Sequence, residues 1–215
     1  MKLWLPPDVH AVVIADDLVL LDAPADAYLC LAGCAKVLEI DPGGQARVHD
    51  QDLAQGLLDE GLLTRDPAPP RRPPPAKASL DLPLETASPT RAQALAMARA
   101  CLASAAQTPR LTFAELLEKA RARRARLAAR NPDLEAVVLA ARAFARMRPW
   151  APNDGACLQR SYLMLAYLHF LGLDADWMIG VRTWPFMAHC WLQAGGVSLE
   201  EDAERLVAYS PILVV

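Results

Sequence analysis

The sequence lacks a long hydrophobic run. No stretch approaches the roughly eighteen uncharged apolar residues that a membrane-spanning helix needs. The first seven residues are too short and too soon interrupted by prolines to predict a secretory signal peptide. We therefore expect a soluble, cytoplasmic protein with no membrane partner.

Cysteine is scarce and is not arranged for cross-linking. There are five cysteines, at positions 30, 34, 101, 157 and 190. Their number is odd and none shows a CxxC or Cys/His zinc spacing, so we expect neither a disulfide framework nor a structural metal. No cofactor is expected either, and a cysteine that matters is expected to act as a free thiol.

Glycine is also scarce, with 10 residues against 18 prolines. Seven of the prolines lie between Pro67 and Pro83, where they favour extended polyproline conformation and a semi-rigid spacer. The sequence therefore predicts two domains, 1–66 and 86–215, joined by a proline-rich linker over 67–85. A proline-rich ligand for some partner's aromatic groove is the weaker alternative.

The net charge of −3 conceals a regional pattern. Residues 1–66 carry four basic and twelve acidic side chains, residues 67–150 carry fifteen and six, and residues 151–215 carry three and seven. The first region predicts strands over 10–15, 18–22 and 27–31, then helices near 34–40 and 51–60. This order resembles a winged helix, but its excess of acidic residues argues against DNA and favours a bound peptide.

The middle region predicts three helices, over 88–106, 112–130 and 134–147. A capping box at Thr112 and Glu115 begins the second helix. This helix carries an arginine run, which we interpret as a solvated face; an RNA- or phosphate-binding role is the alternative.

Cys157 is the first candidate for chemistry. It lies in the first turn of an apolar helix predicted to end near Gly172, where unpaired N–H groups and the helix dipole stabilise a thiolate. A buried packing cysteine is the alternative, and from this segment alone the two stay open.

His189 is the second candidate, on a strand that Gly195-Gly196 returns as a hairpin. With a two-residue loop His189 faces Asp202, and with a three-residue loop it faces Glu201. Either register predicts the nucleophile, base and acid of a thiol hydrolase. Cys190 is expected to alternate away from His189 into the core.

Three segments now carry a resemblance. The stretches 157–161 (Cys-Leu-Gln-Arg-Ser), 188–193 (Ala-His-Cys-Trp-Leu-Gln) and 209–212 (Tyr-Ser-Pro-Ile) resemble the leader peptidases of lasso peptide biosynthesis, which are transglutaminase-like cysteine proteases. The N-terminal half is similar to the peptide-recognition element of peptide-modifying systems. The resemblance implies an α+β fold in which a winged-helix-like recognition domain precedes a transglutaminase-like, papain-like peptidase.

The resemblance also implies the function. The N-terminal domain would bind the leader of a ribosomal precursor peptide, and the second domain would cut the bond before the core, which a macrolactam synthetase then cyclises. Cys157 would be the nucleophile, His189 the general base, and either Asp202 or Glu201 the acid, with Asp202 slightly preferred. The resemblance implies that the leader binds along the third strand and the third helix of the N-terminal domain, and the expected leader-binding residues are Tyr28, Leu29, Cys30, Leu31, Leu53 and Leu57.

Two alternatives from other classes remain open at this point. The chain could be a non-catalytic peptide-binding scaffold for a maturation complex. It could also be an acyltransferase or transglutaminase that uses the same triad. A nucleic-acid partner is not expected.

Overall fold

The N-terminal part of the molecule contains two small antiparallel sheets. The computed structural model describes residues 2–83, 88–127, 133–151 and 156–215. The first elements, in chain order, are β1 (Leu3–Trp4), β2 (Val9–Ile14), β3 (Asp17–Asp22), β4 (Ala27–Leu31), β5 (Leu38–Ile40), β6 (Gln45–Val48) and helix α1 (Gln51–Asp59). One sheet has the order β2-β3-β4 and the other the order β1-β6-β5.

The three predicted strands are confirmed, whereas the helix predicted near 34–40 is wrong. A single 3-10 turn covers Cys34–Lys36, and the chain then enters strand β5 of the second sheet. A left-handed Gly33 before the turn and a hairpin closed by Asp41 take the place of helical hydrogen bonds. The helix predicted over 51–60 is present, and Asp50 caps it by accepting from the Leu53 N–H.

Residues 67–83 run as an extended strap between the two parts of the chain. The Arg71 guanidinium donates to the backbone carbonyls of Leu5, Pro6 and Val9. Gly44 leaves room for it, since a Cβ there would lie 2.5 Å from the Arg71 Nε. Farther along, Leu80 forms a parallel bridge with Val197, so the strap is attached at both ends. Residues 84 and 85 of the predicted linker lie outside the described residues.

The C-terminal part consists of helices packed on one antiparallel sheet. Its elements are α2 (Arg91–Gln107), α3 (Phe113–Leu127), α4 (Leu134–Met147), α5 (Cys157–Phe170), β7 (Asp176–Arg182), β8 (Met187–Ala194), β9 (Val197–Ser198), α6 (Ala203–Leu206) and β10 (Ser210–Val214). The sheet order is β10-β7-β8-β9. The sequence predicts the first four helices closely but misses β10, which closes the sheet beside β7; the predicted extension of α3 to Arg130 lies outside the described residues.

Helix α5 is the centre of the core. Eight consecutive residues, from Ser161 to Leu168, are buried because helices pack around one side and the sheet covers the other. Ser161, fully buried, accepts from the Trp177 indole N–H of β7 at 2.8 Å. This central position holds the start of the helix, and Cys157 with it, against strand β8.

The two sequence regions share this core. Val19 and Leu21 of β3 are fully buried in the same apolar cluster as α5 and β7. The β7–β8 turn also contacts the N-terminal sheet, since the Trp184 indole N–H donates to the Asp17 carboxylate at 2.8 Å. The division into domains 1–66 and 86–215 stays a prediction, and the acidic first region and the later region are packed together.

The arginines of α3 are largely engaged within the molecule. Arg124 pairs with Asp174 and Asp176, and Arg121 pairs with Asp8 across the two regions. Charge that is neutralised internally is not available to phosphates, which weakens the RNA-binding alternative. In the parts of the chain that the structure describes, no helix is long and apolar enough to cross a membrane.

Candidate active site

Cys157 is the first residue of α5, as the sequence predicts. The preceding residue, Ala156, has no side-chain oxygen with which to cap the helix, so the first N–H groups are left for a thiolate or a substrate. The Cys157 thiol is half-buried and hydrogen-bonds the side chains of Cys190 and His189 and the Cys190 backbone N–H. These contacts, that to the Cys190 side chain foremost, lower the pKa of Cys157 to about 4. A thiol with this pKa is ionised, and therefore nucleophilic, at neutral pH.

Cys190 is buried, as expected, but it is not an inert core residue. Its hydrogen bond to Cys157, together with burial, raises the pKa of Cys190 well above its usual value. Cys190 therefore stays a neutral thiol that donates its S–H to the Cys157 thiolate. The two cysteines are one anion and one donor rather than two equivalent thiols.

His189 lies on β8 directly opposite Gly180 of β7. Its ring stacks on Trp191, with centroids 6.2 Å apart, and contacts Tyr209 at 5.2 Å. A Cβ on Gly180 would lie 2.7 Å from the Trp191 ring and 3.2 Å from the Tyr209 Cβ. Glycine at this position thus lets two aromatic rings support the imidazole.

In the part of the chain that the structure describes, Glu201 is the acid that forms an ion pair with the imidazole. Its Oε1 lies 3.7 Å from the His189 Nε2. Among the described residues, His189 forms no ion pair within 4 Å with Asp202. Asp202 instead precedes α6, where its carbonyl accepts from the Arg205 N–H.

The hairpin explains why Glu201 is closer. Its loop has two residues, since Gln193 pairs with Ser198 and Ala194 with Val197. That register was expected to bring Asp202 opposite His189, but the pairing stops at Ser198 and the chain turns away from the strand path. Extrapolating the ladder to Asp202 is therefore wrong.

Two further groups surround Glu201. The Arg160 guanidinium contacts the Glu201 Oε1 from α5, and the exposed Arg205 lies 3.9 Å from Oε2. The neighbouring Glu200 is almost fully buried, and burial raises its pKa to about 8. Glu200 is therefore neutral at pH 7, whereas Glu201 faces two cations.

The predicted leader-binding residues divide by exposure. Tyr28 of β4 contacts Phe186 with ring centroids 5.4 Å apart, and burial, with smaller contributions from nearby Cys190, Asp26 and Cys157, raises its pKa. Leu29 and Cys30 are exposed, and Leu31 and Leu53 are partly buried. Leu57 is 4% exposed and packs in the core under the N-terminal sheets, which removes it from a peptide-facing surface.

Sequence reasoning missed Arg160, Cys190 and Glu200 as members of the site. Arg160 had a usable signal, because a residue three positions after a helix-start cysteine lies on the next turn near it. Cys190 and Glu200 had no such signal. Cys190 follows His189 and Glu200 precedes Glu201, so the alternation of side chains along a strand predicts that both point into the core.

The part of the chain that contains this site matches a known protein family. The family model described as the transglutaminase-like superfamily matches residues 98–214, which include Cys157, His189 and both acids. This chain belongs to the transglutaminase-like superfamily. The matched region begins within α2 and ends at the last residue of β10, so it contains the whole four-stranded sheet and the helix that carries Cys157.

A short stretch of the chain also matches a curated relative. Over 40 residues the chain is 45% identical to "Microcin J25-processing protein McjB" of Escherichia coli, a stretch that covers 19% of this chain and 19% of that protein. The match thus spans about a fifth of the curated relative. No solved structure matches significantly.

Proposed function

We propose that this transglutaminase-like protein is a cysteine peptidase that removes the leader from a ribosomally made precursor peptide of the lasso type. The observation that carries the proposal is the contact of the Cys157 thiol, at the start of α5, with His189, whose Nε2 lies 3.7 Å from the Glu201 Oε1. The lowered pKa of Cys157, about 4, supports it. The partial likeness to a microcin-processing protein supports the substrate class. A macrolactam synthetase is the partner that would use the released core.

The proposed mechanism uses four groups. The Cys157 thiolate attacks the scissile carbonyl carbon, and N–H groups at the start of α5 stabilise the oxyanion. The protonated His189 then gives its proton to the leaving amine, and the C–N bond breaks to leave an acyl-enzyme. Water, deprotonated by His189, hydrolyses the thioester, and Glu201 orients the imidazole throughout.

The leader is proposed to bind along β4. This strand pairs with β3 on one side, and its sheet has the order β2-β3-β4, so β4 is an edge strand that an extended peptide could join. Exposed Leu29 and partly buried Tyr28 supply apolar contacts on that strand. The contact of Tyr28 with Phe186 connects this strand with β8, which carries His189.

Replacing Cys157 with alanine tests the nucleophile. With a synthetic precursor peptide of the lasso type as substrate, C157A is expected to abolish cleavage, as followed by mass spectrometry. Binding of the leader, measured by fluorescence anisotropy, is expected to be unchanged because β4 is untouched. Cleavage by C157A at the wild-type rate would refute the peptidase, and binding without cleavage by the wild type would favour the scaffold.

The acid is tested by two matched amide substitutions. Glu201→Gln is expected to lower kcat by roughly a hundredfold to ten-thousandfold, because the imidazole loses its orienting carboxylate. Asp202→Asn is the control and is expected to change kcat by less than about threefold, the range of ordinary surface substitutions. The reverse order would assign the role to Asp202.

Acyl transfer is the second candidate, and the superfamily itself favours considering it. The same acyl-enzyme can be resolved by an amine instead of water, with the amine nitrogen forming the new bond to the acyl carbon. Adding an excess of a primary amine to the cleavage reaction separates the two. A free carboxylate on the released fragment supports hydrolysis, and a mass increased by the amine supports transfer.

A further inference from the structure

Arg160 occupies a particular place beside the candidate triad. It lies on α5 one turn after Cys157, and its side chain is only 18% exposed. Its Nη2 contacts the Glu201 Oε1, and its Nε lies 3.9 Å from the Glu200 Oε1. The helix that carries the nucleophile is thereby tied to the segment that carries the acid.

The oxygen that Arg160 contacts is the one that faces the imidazole. The His189 Nε2 is 3.7 Å from the same Glu201 Oε1. Glu201 follows the last residue pair of the β8–β9 ladder by three positions, so no strand hydrogen bond fixes its place. A carboxylate on such a segment needs another partner to keep one rotamer, and a guanidinium offers a planar set of donors for it.

Glu200 engages this cation less closely than Glu201 does, with its Oε1 3.9 Å from the Arg160 Nε. Both of its carboxyl oxygens are buried without a hydrogen-bond partner among the described residues, and its raised pKa of about 8 keeps it neutral at pH 7. Arg160 is thus the closer of the two cations beside Glu201, and Arg205 lies 3.9 Å from the other carboxylate oxygen. The positive charge is directed to the acid that faces His189.

We propose that Arg160 is a positioning residue that acts through Glu201, holding its Oε1 against the His189 imidazole. The inference rests on the proposed function, in which Glu201 orients His189. It assigns to Arg160 no contact with substrate, and its effect is expected in turnover rather than in substrate binding.

The test measures kcat, KM and their pH dependence for Arg160→Met with the precursor peptide. Methionine keeps the apolar stem and removes the charge. We expect kcat to fall about tenfold to a hundredfold with KM nearly unchanged, and the alkaline limb of the profile to move to lower pH by about one unit. A poorly held Glu201 would stabilise the imidazolium less, so its proton would be lost sooner.

The direction of this shift separates positioning from plain electrostatics. Removing a cation that acts only through space would favour the imidazolium and move the alkaline limb to higher pH, which would overturn the proposal. The matched control is Arg205→Met, which removes the other cation near Glu201, 3.9 Å away and 74% exposed. It is expected to leave the profile unchanged because exposed pairs contribute little.

A double variant completes the test. In the Glu201→Gln background, Arg160→Met is expected to lower kcat by less than about twofold more, because coupled residues are not additive. Full additivity would overturn the inference. Arg160→Lys, which keeps the charge, is expected to retain more activity than Arg160→Met and serves if the latter fails to fold.

Failure of the inference can be told from failure of the proposed function. If C157A still cleaves, the peptidase assignment is wrong and the positioning role of Arg160 is overturned with it. If C157A is inactive while Arg160→Met behaves like Arg205→Met, the positioning role alone is wrong.

Discussion

At the residue scale, the main feature is the pair formed by Cys157 and Cys190. A thiolate in a partly buried site needs donors, and here a backbone N–H and a neighbouring thiol supply them beside the imidazole. The Cys190 thiol stays protonated because of this contact and its burial. Cys190 thus contributes to the reactivity of Cys157.

Replacing Cys190 with alanine should therefore make Cys157 a weaker acid. The hydrogen bond from Cys190 is the largest cause of the lowered pKa of Cys157, so its loss raises that pKa. We expect the pH midpoint of Cys157 alkylation by iodoacetamide, followed by peptide mass spectrometry, to rise by about one unit.

Serine is the control at this position. Cys190→Ser keeps a donor of similar size and is expected to shift the midpoint of Cys157 alkylation less than Cys190→Ala does. An unchanged midpoint in Cys190→Ala would show that Cys190 contributes no stabilisation to the thiolate.

The sequence predicts Cys157 and His189 because each follows from a local rule. A helix start favours an anion, and a hairpin returns the chain so that an acidic segment comes near the histidine strand, although the extrapolated register named the wrong acid. The contact of Cys190 with Cys157 follows from no such rule. Alternation gives the face from which a side chain leaves a strand, but not where along that strand an approaching helix end will lie.

At the element scale, the short strand β9 determines which acid meets His189. The strap residue Leu80 accepts from the Ser198 N–H and bridges Val197, so it occupies the outer edge of β9. Beyond Ser198 the chain folds inward, burying Leu199 and Glu200. The register could be predicted from Gly195-Gly196, but the end of the strand depends on a partner more than a hundred positions away.

Burial of Glu200 gives the protein a stability that depends on pH. Its pKa in the folded protein is about 8, against 4.5 for an exposed glutamate, so the unfolded chain releases this proton first. Below about pH 4.5, Glu200 is protonated in both states and does not lower the free energy of unfolding. Its destabilising contribution grows as pH rises from 4.5 toward 8. Glu200→Gln removes this titration.

We expect Glu200→Gln to raise the free energy of unfolding by a few kcal/mol at pH 8 and to change it little at pH 4.5. Urea denaturation at the two pH values measures this difference. Glu204→Gln, at an exposed position of α6, is the matched control and is expected to have little effect at either pH. Equal effects of Glu200→Gln at both pH values would contradict the assignment of a neutral buried acid.

At the scale of the whole molecule, the proline-rich strap fastens the two regions to each other. Arg71 donates to backbone carbonyls of the N-terminal region, while Arg72 pairs with Asp176 of the C-terminal sheet. The proline cluster made an extended segment predictable. Its hydrogen bonds with both regions were not, because they depend on carbonyl groups that carry no signature in sequence.

Loss of Arg71 should loosen this attachment. Arg71→Met removes the guanidinium donor from the carbonyls of Leu5, Pro6 and Val9, of which Pro6 keeps the Val9 N–H. We expect a loss of about 2–4 kcal/mol in the free energy of unfolding. Arg72→Met is the control, with an expected loss of no more than about 1 kcal/mol, because its ion pair is partly exposed. Urea denaturation measures both, and an Arg71→Met variant as stable as Arg72→Met would refute the role of Arg71.

The position of β4 beside the site bears on which peptide bond the protein would cleave. A leader held along β4 would be anchored in the same body as Cys157, and an extended chain advances about 3.3 Å per residue. The protein would then act as a ruler, selecting a bond by its distance from the anchored segment. Residues around the cut could vary widely, provided that the spacing is kept.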